Sequence, residues 1–197
     1  MAPALRTAAD LCALIVADPW RLGVLRTVRS LGLPDWAIGA GFVRNPVWDA
    51  LHGRSQPTPL PDVDVLFFDP VDISRDRETE LESRLGGLMA EVPWSVKNQA
   101  RMHLRIDDKP YRDTTDAIRH WLETSTALAI RLTASGKPEL LAPFDTDDLL
   151  TMIARPTPSG ERKPEQYGER IISKRFPERW PQAQVIWPKG RLQKESN

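Results

Sequence analysis

The chain has 197 residues, and its 27 Lys plus Arg balance 27 Asp plus Glu, so the formal net charge is zero. That length predicts one domain with an extension. The zero balance removes the broad attraction to phosphate backbones on which a dedicated DNA-binding module depends, which argues against nucleic acid as a partner. Hydrophobic residues make up 41 % of the chain, enough for a core. The longest apolar stretch near the start, residues 11–16, is far short of a membrane span, so no membrane partner is expected. Asp10 and Asp18 bracket that stretch in the pattern of an amphipathic helix rather than a secretion signal. Cys12 is the single cysteine, which excludes an intrachain disulfide and a cysteine-based metal cluster and points to the cytoplasm. His52, His103 and His120 are scattered without close ligand spacing.

Taken in order, Asp18-Pro19 reads as an N-cap followed by proline at the first helical position. Leu22, Leu25, Val28 and Leu31 then recur at near-helical spacing as far as Gly32. Residues 36–43 form a short, glycine-containing apolar run that predicts a buried strand. Asn45-Pro46 repeats the cap-then-proline signal and predicts a helix that stops at Gly53. Residues 62–69 begin in alternation and are rich in β-formers, a second strand. Ser74 starts a charged helix striped by Leu81, Leu85 and Leu88, ended by Pro93. Alternation from Trp94 predicts a third strand. From Asn98 onward, a continued strand and a capped helix fit equally. Asp113 opens a short helix, Ser135-Gly136 is the turn of a hairpin, and Asp145 to Asp148 precede a helix carrying Leu149, Leu150 and Ile153.

Eighteen prolines, about twice the usual share of ~5 %, fall mainly in loops and in the last forty residues or so. The prediction is therefore an α+β domain over residues 1–154 and an irregular, proline-rich C-terminal extension over 155–197, packed on the domain or trailing it.

Two strand positions apart share a face, so Asp62 and Asp64 set two carboxylates side by side at the start of an apolar strand. They repel unless a cation lies between them, and an oxygen-seeking ion such as Mg²⁺ suits them. A solvent-facing strand end that closes the preceding loop is the plainer alternative. One element earlier, Gly41 leads from a predicted strand toward a capped helix, where a phosphate can approach the backbone. The donors there would be the N–H groups of Val47 and Trp48, aided by the Arg44 and Asn45 side chains. A tight turn is the competing account of Gly41. Lys97 and Arg101 share one face if the third strand continues, where they could neutralise phosphate charge or simply be solvated. The tryptophans read as packing residues.

The glycine turn into a helix followed by Asp-x-Asp on the next strand resembles the signature of the DNA-polymerase-β-like nucleotidyltransferase superfamily. More closely, residues 40–45, 62–65 and 94–103, with Glu123-Thr124 and Ala142-Pro143-Phe144, resemble a small bacterial family classed as nucleotidyltransferase-like. The resemblance spans roughly residues 20–167. It implies a mixed sheet flanked by helices and a Mg²⁺- or Mn²⁺-dependent transfer of a nucleoside monophosphate from a nucleoside triphosphate to a small-molecule or protein acceptor. Gly41 falls on the superfamily's glycine, and Asp62 and Asp64 on its metal carboxylates. The third acid of that superfamily has no counterpart in residues 94–99, which leaves Glu123 or Asp69 to supply it.

Overall fold

The computed structural model describes residues 5–105 and 108–189. Its centre is a mixed five-stranded sheet of order β3-β2-β1-β4-β5, built from β1 (Ala37–Gly39), β2 (Val63–Phe67), β3 (Trp94–Asn98), β4 (Ala129–Leu132) and β5 (Pro138–Leu141). β2 and β3 run parallel and the other neighbours antiparallel. Alternation along β2 divides the molecule. Val63, Val65 and Phe67 enter the main core with Ile38 and Ile130, beneath α1 (Ala8–Ala17), α2 (Pro19–Ser30) and α3 (Gly41–Leu51). Leu66 lies on the opposite face in a smaller cluster with Ala37, Ala129 and Ile118 of α5 (Thr114–Arg119). That second face is only partly covered, and Asp64 shares it.

The capping signals are realised. Asp18 accepts from the N–H groups of Trp20 and Arg21, Ser74 caps α4 (Arg75–Leu88), and Asp113 caps α5. Leu81 and Leu85 are buried as the stripe requires, but Leu88 is exposed. Two of the three glutamates on α4, Glu78 and Glu82, have a role that the stripe does not reveal. β3 is an edge strand whose outward N–H groups lack a sheet partner. Val96 N–H donates to Glu82 Oε1 and Asn98 N–H to Glu78 Oε1, each at 2.7 Å. Glutamates four apart on a helix thus match N–H groups two apart on a strand.

The strand expected over 36–43 is corrected. Only Ala37–Gly39 is extended, and α3 begins at Gly41, so Phe42, Val43, Arg44 and Asn45 are helical. An apolar run of this length suits a buried strand and a buried helix start alike. The change of direction falls on Ala40, whose φ of 55° and ψ of −125° end the strand abruptly. Asn45 is accordingly no cap, and Pro46 lies inside the helix. Proline there cannot donate to the Phe42 carbonyl four residues back. Arg21 supplies the missing donor, with Nη1 2.8 Å from that oxygen.

Beyond Asn98 the structure selects the helical alternative, a 3₁₀ segment over Gln99–Arg105, with Asn98 Oδ1 accepting from Ala100 N–H. Lys97 and Arg101 therefore do not share a strand face. The helix after Asp145 is a single turn, α6 (Asp147–Leu150), and Ile153 belongs to the short strand β6 (Ile153–Ala154).

The proline-punctuated C-terminal segment is more regular than composition suggests. It holds α7 (Pro158–Arg162), α8 (Pro164–Lys174), α9 (Phe176–Arg179) and β7 (Gln184–Val185), the last pairing with β6. Prolines stand at the first positions of the helices, where a missing N–H costs nothing. Tyr167, Phe176 and Trp180 are fully buried. Trp180 meets Trp48 edge-on at 5.1 Å and donates to Asp49. Tyr167 bridges the carbonyls of Ala154 and Ile186.

Gly160 shows how tightly this segment is seated. A Cβ there would lie 2.3 Å from the Leu122 carbonyl oxygen and 3.0 Å from Pro156 Cβ. Backbone cannot yield as a side-chain tip does, so Gly160→Ala is expected to cost about 3 kcal/mol, at the upper end of overpacking penalties. Urea unfolding measures this, and a loss under ~1 kcal/mol would contradict the packing described.

Candidate functional site

The site begins where β1 gives way to α3. The N–H groups of Gly41 and Phe42 open that helix and have no preceding turn to bond. Gly41 has ordinary helical backbone, and the left-handed conformation belongs to Ala40. These N–H groups, rather than those of Val47 and Trp48, are the helix-terminal donors. A cavity of about 130 Å³ adjoins Gly41, lined also by Arg44, Asn45, Asp62 and Asp64. Arg170 and Lys174 of α8 and Arg179 of α9 complete its wall.

Asp62 stands one residue before β2 and is exposed, while Asp64 is on the strand and partly buried. Burial, and after it the charge of Asp62, pushes the Asp64 carboxyl up to about 6. Lys174 and Arg170 oppose that shift without cancelling it. Lys174 is pushed down, first by burial and then by Arg170, against the pull of Asp62 and Asp64. Carboxylates and cations thus line one cavity, and among the described residues no salt bridge joins them.

Arg44 is almost wholly buried, and burial lowers its guanidinium to about 9, still protonated at neutral pH. It packs over the Phe176 ring at 4.5 Å and donates to Thr126 Oγ1 and Asn45 Oδ1, while its Nε has no partner. Thr126 in turn donates to Glu123, which is fully buried and receives Arg170 Nε on both oxygens at 2.7 and 2.8 Å. One buried network therefore ties α3 to α8 behind the cavity.

Ala40, Asp64 and Arg170 also border a second, larger cleft of about 370 Å³ on the open face of the sheet. Its walls include Met102, Tyr111, His120 and Trp121. Gly39 shapes it, since a Cβ there would lie 2.7 Å from the Trp121 ring.

The structure brings together Gly41, Arg44, Asn45, Asp62 and Asp64. Lys97 and Arg101 lie elsewhere: Lys97 Nζ is 3.1 Å from Glu82 and Arg101 Nε 2.8 Å from Glu78, lining a separate cavity with Arg75. Neither acid considered as a third ligand joins the pair. Glu123 is committed to Arg170, and Asp69 Oδ1 accepts from Val71 N–H beyond the far end of β2. Among the described residues no group of three His, Cys, Asp or Glu side chains is placed to hold a metal.

Arg170, Lys174, Arg179, His120 and Trp121 escaped the reading of the sequence. For the first two a signal existed, because Arg170 and Lys174 are four apart on the same helix that buries Tyr167 and Ile171, also four apart.

The mixed sheet, the glycine-opened helix and the paired aspartates on the neighbouring strand define a nucleotidyltransferase-superfamily fold. A family model described as nucleotidyltransferase matches residues 26–185, and the chain belongs to that family. A structure solved by NMR and described as revealing a CCA-adding enzyme head domain is 31 % identical, with a TM-score of 0.80, covering 92 % of this chain and 97 % of that one. The Thermotoga maritima CCA-adding enzyme complexed with tRNA is similar in fold, at 16 % identity and a TM-score of 0.59, over 96 % of this chain and 45 % of that one. A CCA-adding enzyme in complex with CTP gives 15 % and 0.61, over 98 % and 46 %. The chain thus spans just under half the length of these two enzymes. No curated protein matches it. Among the described residues, no helix is long and apolar enough to cross a membrane.

Proposed function

We propose that this chain transfers a nucleoside monophosphate from a nucleoside triphosphate to an acceptor, with Mg²⁺ or Mn²⁺ as its cofactor and release of pyrophosphate. The observation that carries this reading is the 130 Å³ cavity, in which two aspartates and four cations gather at the opening of a helix. Two carboxylates, one raised by burial and by its neighbour, form an all-oxygen donor set. Such a set suits Mg²⁺ sharing its remaining coordination with phosphate oxygens and water, not a closed protein cage. Asp62 and Asp64 would hold the ion, which when bound neutralises phosphate charge.

The chain's own groups do the rest. The N–H groups opening α3 receive phosphate oxygens, Arg170 and Lys174 offset the triphosphate's charge, and Arg44 holds the wall in place from behind. The segment 155–189 then forms part of the catalytic unit, since it supplies Arg170, Lys174 and Arg179, three of the four cations that line the cavity. The zero net charge supports a small molecule or a protein as acceptor over tRNA.

That no third acid joins Asp62 and Asp64 among the described residues favours a second reading, a nucleotide-binding protein without turnover. Incubation with each of four α-labelled nucleoside triphosphates and Mg²⁺, following bound nucleotide and pyrophosphate separately, distinguishes the two. Binding with pyrophosphate release supports the enzyme, and binding alone supports the second reading. No binding of any nucleotide contradicts both.

Gly41 gives a sharper test of where phosphate lies. The nearest atoms to a Cβ there would be side-chain ones, the tip of Leu60 at 3.0 Å and the Asn45 amide at 3.4 and 3.6 Å. Gly41→Val is therefore expected to change stability by no more than about 1 kcal/mol, because a flexible side chain can yield. Nucleotide affinity should fall at least about tenfold as the new side chain fills the approach to the helix N-terminus. Thermal melting and calorimetry on the one variant check both, and unchanged affinity would move the phosphates elsewhere.

A further inference from the structure

The larger cleft contains a feature that nucleotide binding does not require. His120, at the end of α5, points its ring into the cleft that Asp64 also borders. Its Nδ1 lies 2.6 Å from Asp108 Oδ2. A carboxylate only accepts, so Nδ1 carries a proton, and in the neutral ring Nε2 presents a lone pair. Nε2 has no hydrogen-bond partner among the described residues, although the ring is about three-quarters buried. Tyr111 packs on the ring at 4.6 Å and fixes its plane. An imidazole oriented by a carboxylate, with its second nitrogen free in a cleft, is the arrangement of a general base.

We propose that His120 is the base that activates the acceptor, and that Asp108 is its positioning residue. This rests on the nucleotidyltransferase reading above and deepens it. It takes the place of a third acid, which Asp62 and Asp64 lack among the described residues, and it identifies the acceptor as a hydroxyl carried by a small molecule. The cleft, about 370 Å³, has room for a ring-sized body against Met102, Trp121 and Leu122. In the step, the acceptor oxygen forms a bond to the α-phosphorus and its proton passes to His120 Nε2. The bond from the α-phosphorus to the bridging oxygen of the β-phosphate breaks, and pyrophosphate leaves with that electron pair. When no acceptor is present, water occupies the cleft and is activated in the same way, giving nucleoside monophosphate and pyrophosphate.

Water is therefore the probe. Wild type, His120→Ala and Asp108→Asn are each titrated with nucleoside triphosphate in the presence of Mg²⁺, and pyrophosphate release is followed with and without added imidazole. For His120→Ala, release is expected to fall about 100-fold, the usual scale of a positioned base, with nucleotide affinity within about threefold of wild type. Imidazole should restore at least a tenth of the lost rate by entering the vacated space. Asp108→Asn should lose about tenfold, keep its affinity and gain nothing from imidazole, and it serves if His120→Ala fails to fold. Four results would overturn the assignment: wild type that binds nucleotide but releases no pyrophosphate, an unchanged rate in the variants, a loss in His120→Ala that imidazole does not rescue, or a loss of nucleotide affinity, which would place His120 against the nucleoside. Wild type that binds no nucleotide would instead remove the underlying reading and the assignment with it.

Discussion

Asp62→Asn combined with Asp64→Asn is expected to abolish Mg²⁺-dependent nucleotide binding and, at the same time, to make the metal-free protein more stable at pH 7.5. The second effect separates a binding site from a structural pair. The folded Asp64 carboxyl titrates near 6, above its unfolded value of 3.8, because burial and then Asp62 disfavour its charge. Ionisation of Asp64 therefore costs stability above pH 6, and the cost disappears as the pH falls below about 4, where both states are protonated. Removing the charge at pH 7.5 should recover about 1–3 kcal/mol, given ~1.4 kcal/mol per pKa unit. Melting of wild type and variant at pH 7.5 and pH 5, with and without Mg²⁺ and nucleotide, measures all of this. A variant that melts lower than wild type in the absence of metal would show that the aspartates serve the fold.

Arg170→Ala should be the most destabilising single change at the site. It leaves Glu123, with no exposed surface, deprived of the guanidinium that both of its oxygens accept. Breaking a buried pair by removing one partner typically costs about 3–5 kcal/mol. Arg170 is about one-third exposed, and Arg44 also acts on Glu123, so the lower end is expected. Adding Glu123→Gln removes the stranded charge and should restore most of the stability. Nucleotide affinity should stay low in the double variant, because the cation facing Asp64 is still missing. Urea unfolding and calorimetry on the two single variants and the double complete the cycle. A stable Arg170→Ala, or a double variant with recovered affinity, would contradict the network described.

The sequence carried the sheet's order of appearance and the aspartate pair because both rest on short-range rules. Period-two alternation marks β2, and caps mark α2, α4 and α5. The entry into α3 was misplaced because nothing in a chain of apolar residues announces that Ala40, a residue with a Cβ, will take a positive φ. Pro46 was read as a first-turn proline for the same reason. Its tolerance inside α3 depends on Arg21, 25 residues away, which supplies the donor that proline lacks. Three of the four cations that line the cavity come from α8 and α9, more than a hundred residues after Asp64, and proline content alone concealed these helices. Lys97 and Arg101 matched the expected charge but not the place, because the glutamates that close the β3 edge claim them first.

The central claim is that one cavity, made from α3, β2 and the C-terminal helices, binds a nucleoside triphosphate together with a divalent metal. Calorimetric titration of wild type with non-hydrolysable analogues of ATP, CTP, GTP and UTP, each with Mg²⁺ and with EDTA, tests it directly. Saturable binding of at least one analogue with Mg²⁺, lost with EDTA, is the result predicted. The absence of binding by all four with Mg²⁺ present, or binding that EDTA leaves unchanged, would contradict it.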